Sequence, residues 1–291
     1  MAGFSESVEP LVSAPEGRGE KKGRTCKFSY ERDLPMILTI RNAVFISYGQ
    51  LYIQLRAQGT EANRQGFSWR LSRLVGLGLV RKMKQIVPFT GPTYTITREG
   101  LSCLESCSEG LLSLTSESRV LPSETQAAHF LELGEIRGAL RRAGILEKWI
   151  GDPELKSLNL VLDTPLAKDY DAVADLTIGT KRRLTVAIEF ERSVKRAARY
   201  REIVERISEE TQIEMLLYLT ASVDLVYQLK AILIEIAFPI ALGASKQFCA
   251  DPTGMSLHNT VEEDRKMTLI ELSDRLAKSR ELGNIAQSSG V

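Results

Sequence analysis

The chain has 291 residues, 43% of them hydrophobic and 26% charged, and this length predicts two domains of about 100–200 residues, each large enough to bury a core. Its four cysteines are too few for a disulfide scaffold and favour a cytoplasmic setting, and no run approaches the roughly 18 apolar residues that a membrane span requires. With only two histidines, most catalytic triads and histidine-ligated metal sites are excluded, so any catalysis must use carboxylates and lysines.

The chain divides by composition into five segments. Residues 1–30 mix Gly, Ser, Glu and Lys and are expected to form a disordered tail, and 275–291 form a second, polar tail. Residues 31–108 and 127–274 carry the apolar periodicity of folded domains, and 109–126 join them. We therefore predict a mixed α/β (α+β) fold of two domains.

Basic residues are concentrated in the first domain. Between Arg41 and Arg98 lie nine arginines and lysines and a single acid, Glu61, so this segment carries +8. Because the whole chain has a net charge of +1, the rest of it carries −7. The first domain is therefore expected to attract a polyanion, and double-stranded DNA is the predicted partner.

Three helices, two strands and the start of a fourth helix are predicted in the first domain. The helices cover 32–43, 48–58 and 62–75, and the strands cover 81–87 and 93–97. This order, with the phrase LSRLVGLGLVRK … YTITREG, resembles winged helix-turn-helix proteins, in which a recognition helix enters the major groove of DNA. A winged helix that makes only protein contacts is the alternative.

Helical spacing separates an apolar face from a polar face on the third helix. Phe67, Leu71 and Leu74 fall on one side and are expected to be buried. The opposite side, its flank and the next strand carry groups that can reach base edges and phosphates. The predicted DNA-contacting residues are Gln65, Trp69, Arg70, Ser72, Arg73, Arg81, Lys82 and Lys84. For any single arginine the alternative is a solvated surface charge.

The second domain alternates helices and strands. Helices are predicted over 129–143, 193–208 and 225–236, and strands over 158–162, 172–178, 184–191, 213–220 and 240–249. The strand at 213–220 is almost wholly apolar, as expected of a strand covered on both faces. An αβββαβ core of this kind is the layout of restriction-endonuclease-like domains.

Acidic residues fall at the ends of two neighbouring predicted strands. Asp171 begins the second strand, and Glu189 and Glu191, two positions apart, point to one face of the third. Carboxylates that converge in this way can hold a hard cation, and Mg²⁺ completes its octahedron with water and phosphate oxygens. The pattern is typical of Mg²⁺-dependent cleavage of phosphodiesters, in which the metal activates water.

The phrase DAVADLTI … AIEFERSVK resembles the PD-(D/E)xK nuclease superfamily, whose motif is an Asp, a strand and an acid-x-Lys step. The resemblance implies catalytic and metal-binding roles for Asp171, Glu189 and Glu191. It also implies a metal-binding role for Glu135 on the first helix of the domain. Glu191 stands where the superfamily has lysine. Lys195, four residues on, is expected to supply the ammonium, as in members whose lysine lies on that helix.

Two alternatives remain at this site. Asp175, two pleats beyond Asp171, can replace it as a ligand. The site can also be purely structural, an exposed strand edge followed by a salt-bridged helix start in which Glu191 pairs with Lys195 and Arg192.

The order of motifs resembles one family over about 32–250. HFLELGEIRGALRRAG, DYDAVADLTI and VAIEFERSVKRAARY, following a winged helix, are similar to the replication-relaxation family of plasmid and mobile-element proteins. The resemblance implies a DNA-binding protein acting in replication, transfer or its control, with a second copy or another mobile-element protein as further partner. The alternatives are a Mg²⁺-dependent endonuclease or nickase and a transcriptional regulator that uses the winged helix alone.

Overall fold

A computed structural model describes residues 28–83, 91–118, 121–179, 182–233, 236–262 and 265–288. We call 28–118 the first half and 121–288 the second half. The first half contains α1 (Asp33–Ala43), β1 (Ile46–Ser47), α2 (Tyr48–Ala57), α3 (Arg64–Gly76), β2 (Val80–Met83), β3 (Thr93–Ile96) and α4 (Arg98–Ser106). Its four helices and the strands β2 and β3 follow the predicted order, and β1 is a short strand that was not predicted. The predicted tail before residue 28 lies outside the described residues.

Side-chain caps fix where the helices of the first half begin. Ser47 and Gln50 form a reciprocal capping box at the start of α2. The Asn63 side chain accepts the Gly66 N–H at the start of α3, and Thr97 does the same for Gly100 in α4. The caps satisfy N–H groups that have no partner inside a helix.

A three-stranded antiparallel sheet of order β1-β3-β2 packs against these helices. Met36, Ile40, Leu51, Phe67 and Leu74 are buried in the core between them. Helix α4 approaches this core closely at Gly100, where a Cβ would lie 2.2 Å from the backbone oxygen of Leu79. A side chain at this position would therefore push α4 off the core.

The second half has one six-stranded sheet of order β4-β5-β6-β7-β8-β9. The elements are a 3-10 turn (Glu124–Gln126), α5 (Ala127–Arg142), β4 (Leu146–Gly151), α6 (Asp152–Asn159), β5 (Ala172–Ile178), β6 (Arg182–Glu191), α7 (Ala197–Ser208), β7 (Met215–Thr220), α8 (Val223–Leu233), β8 (Ile240–Ala244), α9 (Ser245–Ala250), β9 (His258–Asn259) and α10 (Leu269–Ser288). The pairs β6·β7 and β7·β8 are parallel, and the other pairs are antiparallel. The fold is therefore mixed α/β.

Helices cover both faces of this sheet. On one face, α5, α9 and α10 pack against the strands through residues such as Ile136, Phe248 and Leu272. On the other, α6, α7 and α8 do so through residues such as Ile203 and Leu229. Every residue of β7 is buried, as its apolar sequence predicts. Among the described residues, no helix combines the length and apolar character needed to cross a membrane.

Three sequence predictions for the second half need correction. Residues 158–162 form the end of α6 and the turn after it, while the first strand is β4, Leu146–Gly151. Strand β8 ends at Ala244, and α9 follows where the strand was predicted to continue to 249. Helix α10 extends to Ser288, through most of the segment predicted as a polar tail. Pro153 lies in the first turn of α6, a position that proline favours, so the helix begins well before residue 158.

The two halves pack together through α2 and α5. The Gln50 amide donates hydrogen bonds to the Leu131 backbone oxygen (2.8 Å) and to Oε1 of Glu135 (2.9 Å), both on α5. A Cβ at Gly134 would lie 2.8 Å from Nε2 of Gln50, so only glycine leaves the amide room. Beside this contact, Val44, Phe45, Met83, Ala127 and Phe130 form a small apolar cluster. Gln50 therefore both caps α2 and holds it against α5.

We expect Gly134→Ala to destabilise the protein relative to Gly138→Ala. Both changes add a methyl group to α5 and improve its helix propensity, but only the first displaces Gln50 from its two hydrogen bonds. At position 138 the new methyl group meets only the end of the flexible Arg142 side chain. The free energy of unfolding in urea should differ by about 1–3 kcal/mol between the variants. Equal stabilities would contradict the role given to Gln50.

Candidate functional site

Helix α3 presents a solvent-exposed polar face. Gln65, Trp69 and Ser72 are exposed on it, and the Trp69 side chain has 61% of its surface accessible. We call these three residues the α3 face. On β2, Arg81 and Lys82 are also exposed, at the positions where the sequence predicted phosphate contacts. Lys84, predicted as a further contact, lies outside the described residues.

The structure corrects the prediction for Arg70 and Arg73. Arg70 is buried, with its guanidinium paired to Glu61 and 3.9 Å from Asp33. Arg73 pairs with the same Asp33, which is fully buried at the start of α1. Position 70 is three residues after Phe67 on the helix, which places its side chain on the buried side. Both arginines therefore hold α3 to α1 and do not lie on the α3 face.

Trp69 lies over one of these arginines. The Arg73 guanidinium carbon is 5.4 Å from the centre of the Trp69 ring, within cation–π range. The ion pair of Arg73 with Asp33 fixes the position of the cation. Arg73 therefore contacts one face of the Trp69 ring, and the rest of the side chain remains open to solvent. A large aromatic side chain that stays exposed in this way is suited to contact with a ligand.

At the sheet of the second half, Asp171 and Glu189 lie side by side. Strands β5 and β6 are antiparallel, and Ala172 lies opposite Ile188. Asp171, the residue just before β5, therefore lies next to Glu189 on β6. Glu191 follows two positions along β6, on the same face as Glu189. We call Asp171, Glu189 and Glu191 the carboxylate cluster. The pairing of the strands brings these predicted site residues to one end of the sheet.

Asp171 is held by two donors. Its Oδ1 lies 3.1 Å from Nε2 of His129 on α5, and its Oδ2 accepts the backbone N–H of Phe190 at 2.8 Å. The His129 ring lies against Phe190, with 5.7 Å between ring centres. Burial opposes the ionised form of Asp171, but the hydrogen bond and charge of His129, with the Phe190 N–H, lower the pKa of Asp171 overall.

The two glutamates each have a lysine partner. Lys168, in the segment before β5, pairs with Oε1 of Glu189, and both side chains are almost entirely buried. Lys195 lies 2.7 Å from Oε2 of Glu191, which also accepts the Tyr218 hydroxyl at 3.2 Å. Lys195 therefore contacts the carboxylate cluster, as predicted for a catalytic lysine. The purely structural alternative also expects Lys195 to pair with Glu191, so this contact does not distinguish the two hypotheses. Lys195 is 39% exposed.

Sequence reasoning missed His129 and Lys168. His129 was assigned only to a helix, and its distance in sequence from Asp171 gave no sign that the two side chains meet. Lys168 precedes Asp171 by three residues in the sequence KDYD. The available signal was therefore a lysine close in sequence to a predicted site carboxylate. Its side chain crosses to β6 and meets Glu189.

Glu135 and Asp175 lie apart from the carboxylate cluster. The Glu135 carboxylate accepts a hydrogen bond from Gln50, about 9 Å along α5 from His129. Asp175 is four residues along β5 from Asp171 and accepts hydrogen bonds from Arg183 and from the Thr185 hydroxyl (2.9 Å). Both carboxylates thus have structural partners, and the structure does not bring either to the predicted metal site.

Burial and repulsion act together on Glu189. Desolvation of the buried carboxylate, followed by the negative charge of Asp171, raises the pKa of Glu189 to about 7, although Lys168 and Lys195 oppose this shift. Asp171 and Glu189 thus have pKa values displaced in opposite directions. The two carboxylates resist being charged together, which is expected when like charges are adjacent in a buried site.

The arrangement does not fit a Mg²⁺ ion between Asp171 and Glu189. Protein donors already contact three of these four oxygens: Lys168 contacts Oε1 of Glu189, His129 contacts Oδ1 of Asp171, and the Phe190 N–H contacts Oδ2 of Asp171. Over the described ranges, no three His, Cys, Asp or Glu side chains are grouped so that they could share one ion. A metal ion would have to displace Lys168 from Glu189.

Comparisons with known proteins returned no match: neither protein-family models, nor curated proteins, nor solved structures are similar to this chain. The resemblance to the replication-relaxation family, and the further protein partners that it implies, stay predictions.

Glu189 should make stability depend on pH. Its pKa lies at about 7 in the folded chain against an ordinary value of 4.5, so the folded state binds more protons between these values and stability falls as pH rises through them. Relative to Glu189→Gln, the wild type should lose roughly 3 kcal/mol of unfolding free energy from pH 4 to pH 8, at about 1.4 kcal/mol per pKa unit. Urea titrations at both pH values measure this difference.

A matched control is Glu202→Gln, at a side chain that is 56% exposed on α7. Solvent screens a charge at such a position, so its effect on stability should be small at both pH values. A Glu189→Gln effect that is equally independent of pH would show that Glu189 is not desolvated as described.

Proposed function

We propose that this protein binds duplex DNA through the α3 face and strand β2. The finer fold that we propose is a winged helix followed by a restriction-endonuclease-like domain. The resemblance to replication-relaxation proteins further points to a DNA-binding protein of a mobile element, acting in replication, transfer or its control. In this proposal the second half supports the DNA-binding half and does not itself cut DNA.

The single observation that carries the proposal is the exposed α3 face next to a basic strand in chain order. Gln65 is suited to bidentate hydrogen bonds with an adenine edge, and Trp69 to apolar contact with a thymine methyl group. Arg81 and Lys82 supply exposed positive charge for phosphates. The order helix, strand, helix, helix, strand, strand, with sheet order β1-β3-β2, supports a winged helix.

Exposure also limits how many basic residues are available for phosphates. Of the nine in the segment from Arg41 to Arg98, three are buried or nearly so and pair inward. They are Arg41, Arg70 and Arg73. Five are exposed: Arg56, Arg64, Arg81, Lys82 and Arg98. The ninth, Lys84, lies outside the described residues. The electrostatic contribution to binding is therefore smaller than the count of basic residues implies.

The contacts between the halves support the role given to the second half. Gln50 on α2 is bonded to α5, and α5 carries His129, which holds Asp171. Helix α2 precedes α3 directly, so the second half braces the part of the chain that carries the α3 face. The helix and strand order of α5, β4, β5, β6, α7 and β7, with α6 inserted, supports the restriction-endonuclease-like layout.

A Mg²⁺-dependent endonuclease or nickase is the second candidate, favoured by the placement of Asp171, Glu189 and Glu191 at one end of the sheet. The test is a nicking assay on supercoiled plasmid with Mg²⁺ or Mn²⁺, comparing wild type with Asp171→Asn and Lys195→Met. Nicking that both variants lose would establish the enzyme. We expect no nicking by any of the three proteins.

DNA affinity should fall with salt at a slope set by the exposed basic residues. If about four of the five contact phosphate, log K against log salt should have a slope of about −4. Replacing both Arg81 and Lys82 by Ala should reduce the magnitude of the slope by about 2, because each contact releases roughly one counterion. Fluorescence anisotropy with a labelled duplex at several salt concentrations measures this.

Lys246→Ala provides the control, because Lys246 is an exposed lysine on α9 in the second half. It should leave the slope unchanged. Trp69→Ala should weaken binding by about 1–3 kcal/mol without changing the slope, since the ring carries no charge. An unchanged slope in the Arg81 and Lys82 variant would move the DNA-binding surface away from β2.

A further inference from the structure

We propose that Lys168 is the built-in counter-ion of the Asp171–Glu189 pair, so that this centre is complete without a divalent cation. A divalent cation then binds the two carboxylates only when the Lys168 ammonium is removed. This inference concerns the charge balance of the second half and does not depend on whether the first half binds DNA.

The first support is the fixed position of the Lys168 side chain. Its Nζ contacts Oε1 of Glu189, and the side chains are only 11% and 7% exposed. The same Nζ lies 4.9 Å from the centre of the Tyr170 ring. Tyr170 is itself 1% exposed, so the ammonium sits between a buried carboxylate and a buried aromatic ring. A lysine placed in this way is part of the interior and not a solvated surface charge.

The second support is the charge that the site would otherwise carry. Asp171 and Glu189 are neighbours across β5 and β6, and two desolvated carboxylates so close together repel each other. The charge of Lys168 acts on both, favouring the ionised form of each. His129 supplies a second hydrogen-bonding partner to Asp171. The protein therefore provides the neutralising groups that a bound cation provides in a metal centre.

Lys195 shows the contrast within the same cluster. It is 39% exposed and pairs with Glu191, four residues before it in the chain. Solvent reaches the Lys195 ammonium, and the buried Glu191 keeps the Tyr218 hydroxyl as a second donor, so we expect this pair to contribute less to stability than the buried pair of Lys168 and Glu189. Lys195→Met is therefore a matched control, because it removes a lysine from the same group of acids and leaves the buried Lys168 ammonium in place.

The experiment measures Mn²⁺ binding to the full chain and its variants, by thermal melting and by loss of the free Mn²⁺ resonance signal. Wild type and Lys195→Met should show no Mn²⁺-dependent change in Tm. Lys168→Met should melt about 10 °C lower, because a buried carboxylate loses its partner. Saturating Mn²⁺ should then raise its Tm by about 5 °C or more. The double variant with Lys168→Met and Glu189→Gln should lose this response.

When the variants fold, either of two results would overturn the proposal. One is a Mn²⁺-dependent rise in the Tm of the wild type, because the proposal allows a cation at the two carboxylates only without the Lys168 ammonium. The other is a folded Lys168→Met variant that gains no response to Mn²⁺. If Lys168→Met does not fold without metal, recovery of its fold with Mn²⁺ supports the proposal. If it fails to fold with Mn²⁺ as well, folding of the double variant supports the proposal and failure of the double variant overturns it.

Discussion

Buried charge must be neutralised within the protein, and this constraint determines the key contacts in both halves. An unpaired ion in the interior costs several kcal/mol, so each buried carboxylate selects which cation can turn inward. In the first half, Asp33 forms ion pairs with Arg70 and Arg73, which turns both arginines inward. In the second half, Glu189 forms an ion pair with Lys168. The groups that look available in the sequence are therefore partly committed to folding.

The same constraint explains how the halves are joined. Polar groups at an interface between domains need partners when they are buried, and the Gln50 amide finds its partners on α5. Since Gln50 also caps α2, one side chain contributes to the start of a helix and to the contact between the halves. Helix α5 in turn reaches the carboxylate cluster through His129. The exposed face and the acidic end of the sheet thus belong to one connected set of contacts.

Much of the fold was predictable because local patterns reported it. Strand β5 occupies 172–178 as predicted, and the apolar run at 213–220 was identified as a covered strand. The edge strand β4 was missed because its sequence, LEKWIG, contains the charged and exposed Glu147 and Lys148, which interrupt its apolar pattern. The apolar run at 158–162 predicts a strand, yet Leu160 and Val161 are exposed in the structure.

The site residues also divide into those that local sequence patterns predict and those whose positions depend on contacts with distant segments. Asp171, Glu189 and Glu191 followed from strand periodicity, which fixes faces and ends. The pairing of Arg70 with Glu61 and of Lys168 with Glu189 depends on contacts between residues 9 and 21 positions apart in sequence. Periodicity carries no information on such pairs. Side-chain pairing across elements had to come from the structure.

The exposed Trp69 has a practical consequence. The chain has two tryptophans, one in each half. Trp69 is open to solvent above Arg73, whereas Trp149 on β4 is half-buried beside Arg137. Their intrinsic emission should therefore differ in wavelength and in access to quenchers. Spectroscopy on the unlabelled chain can follow the two halves as separate optical signals.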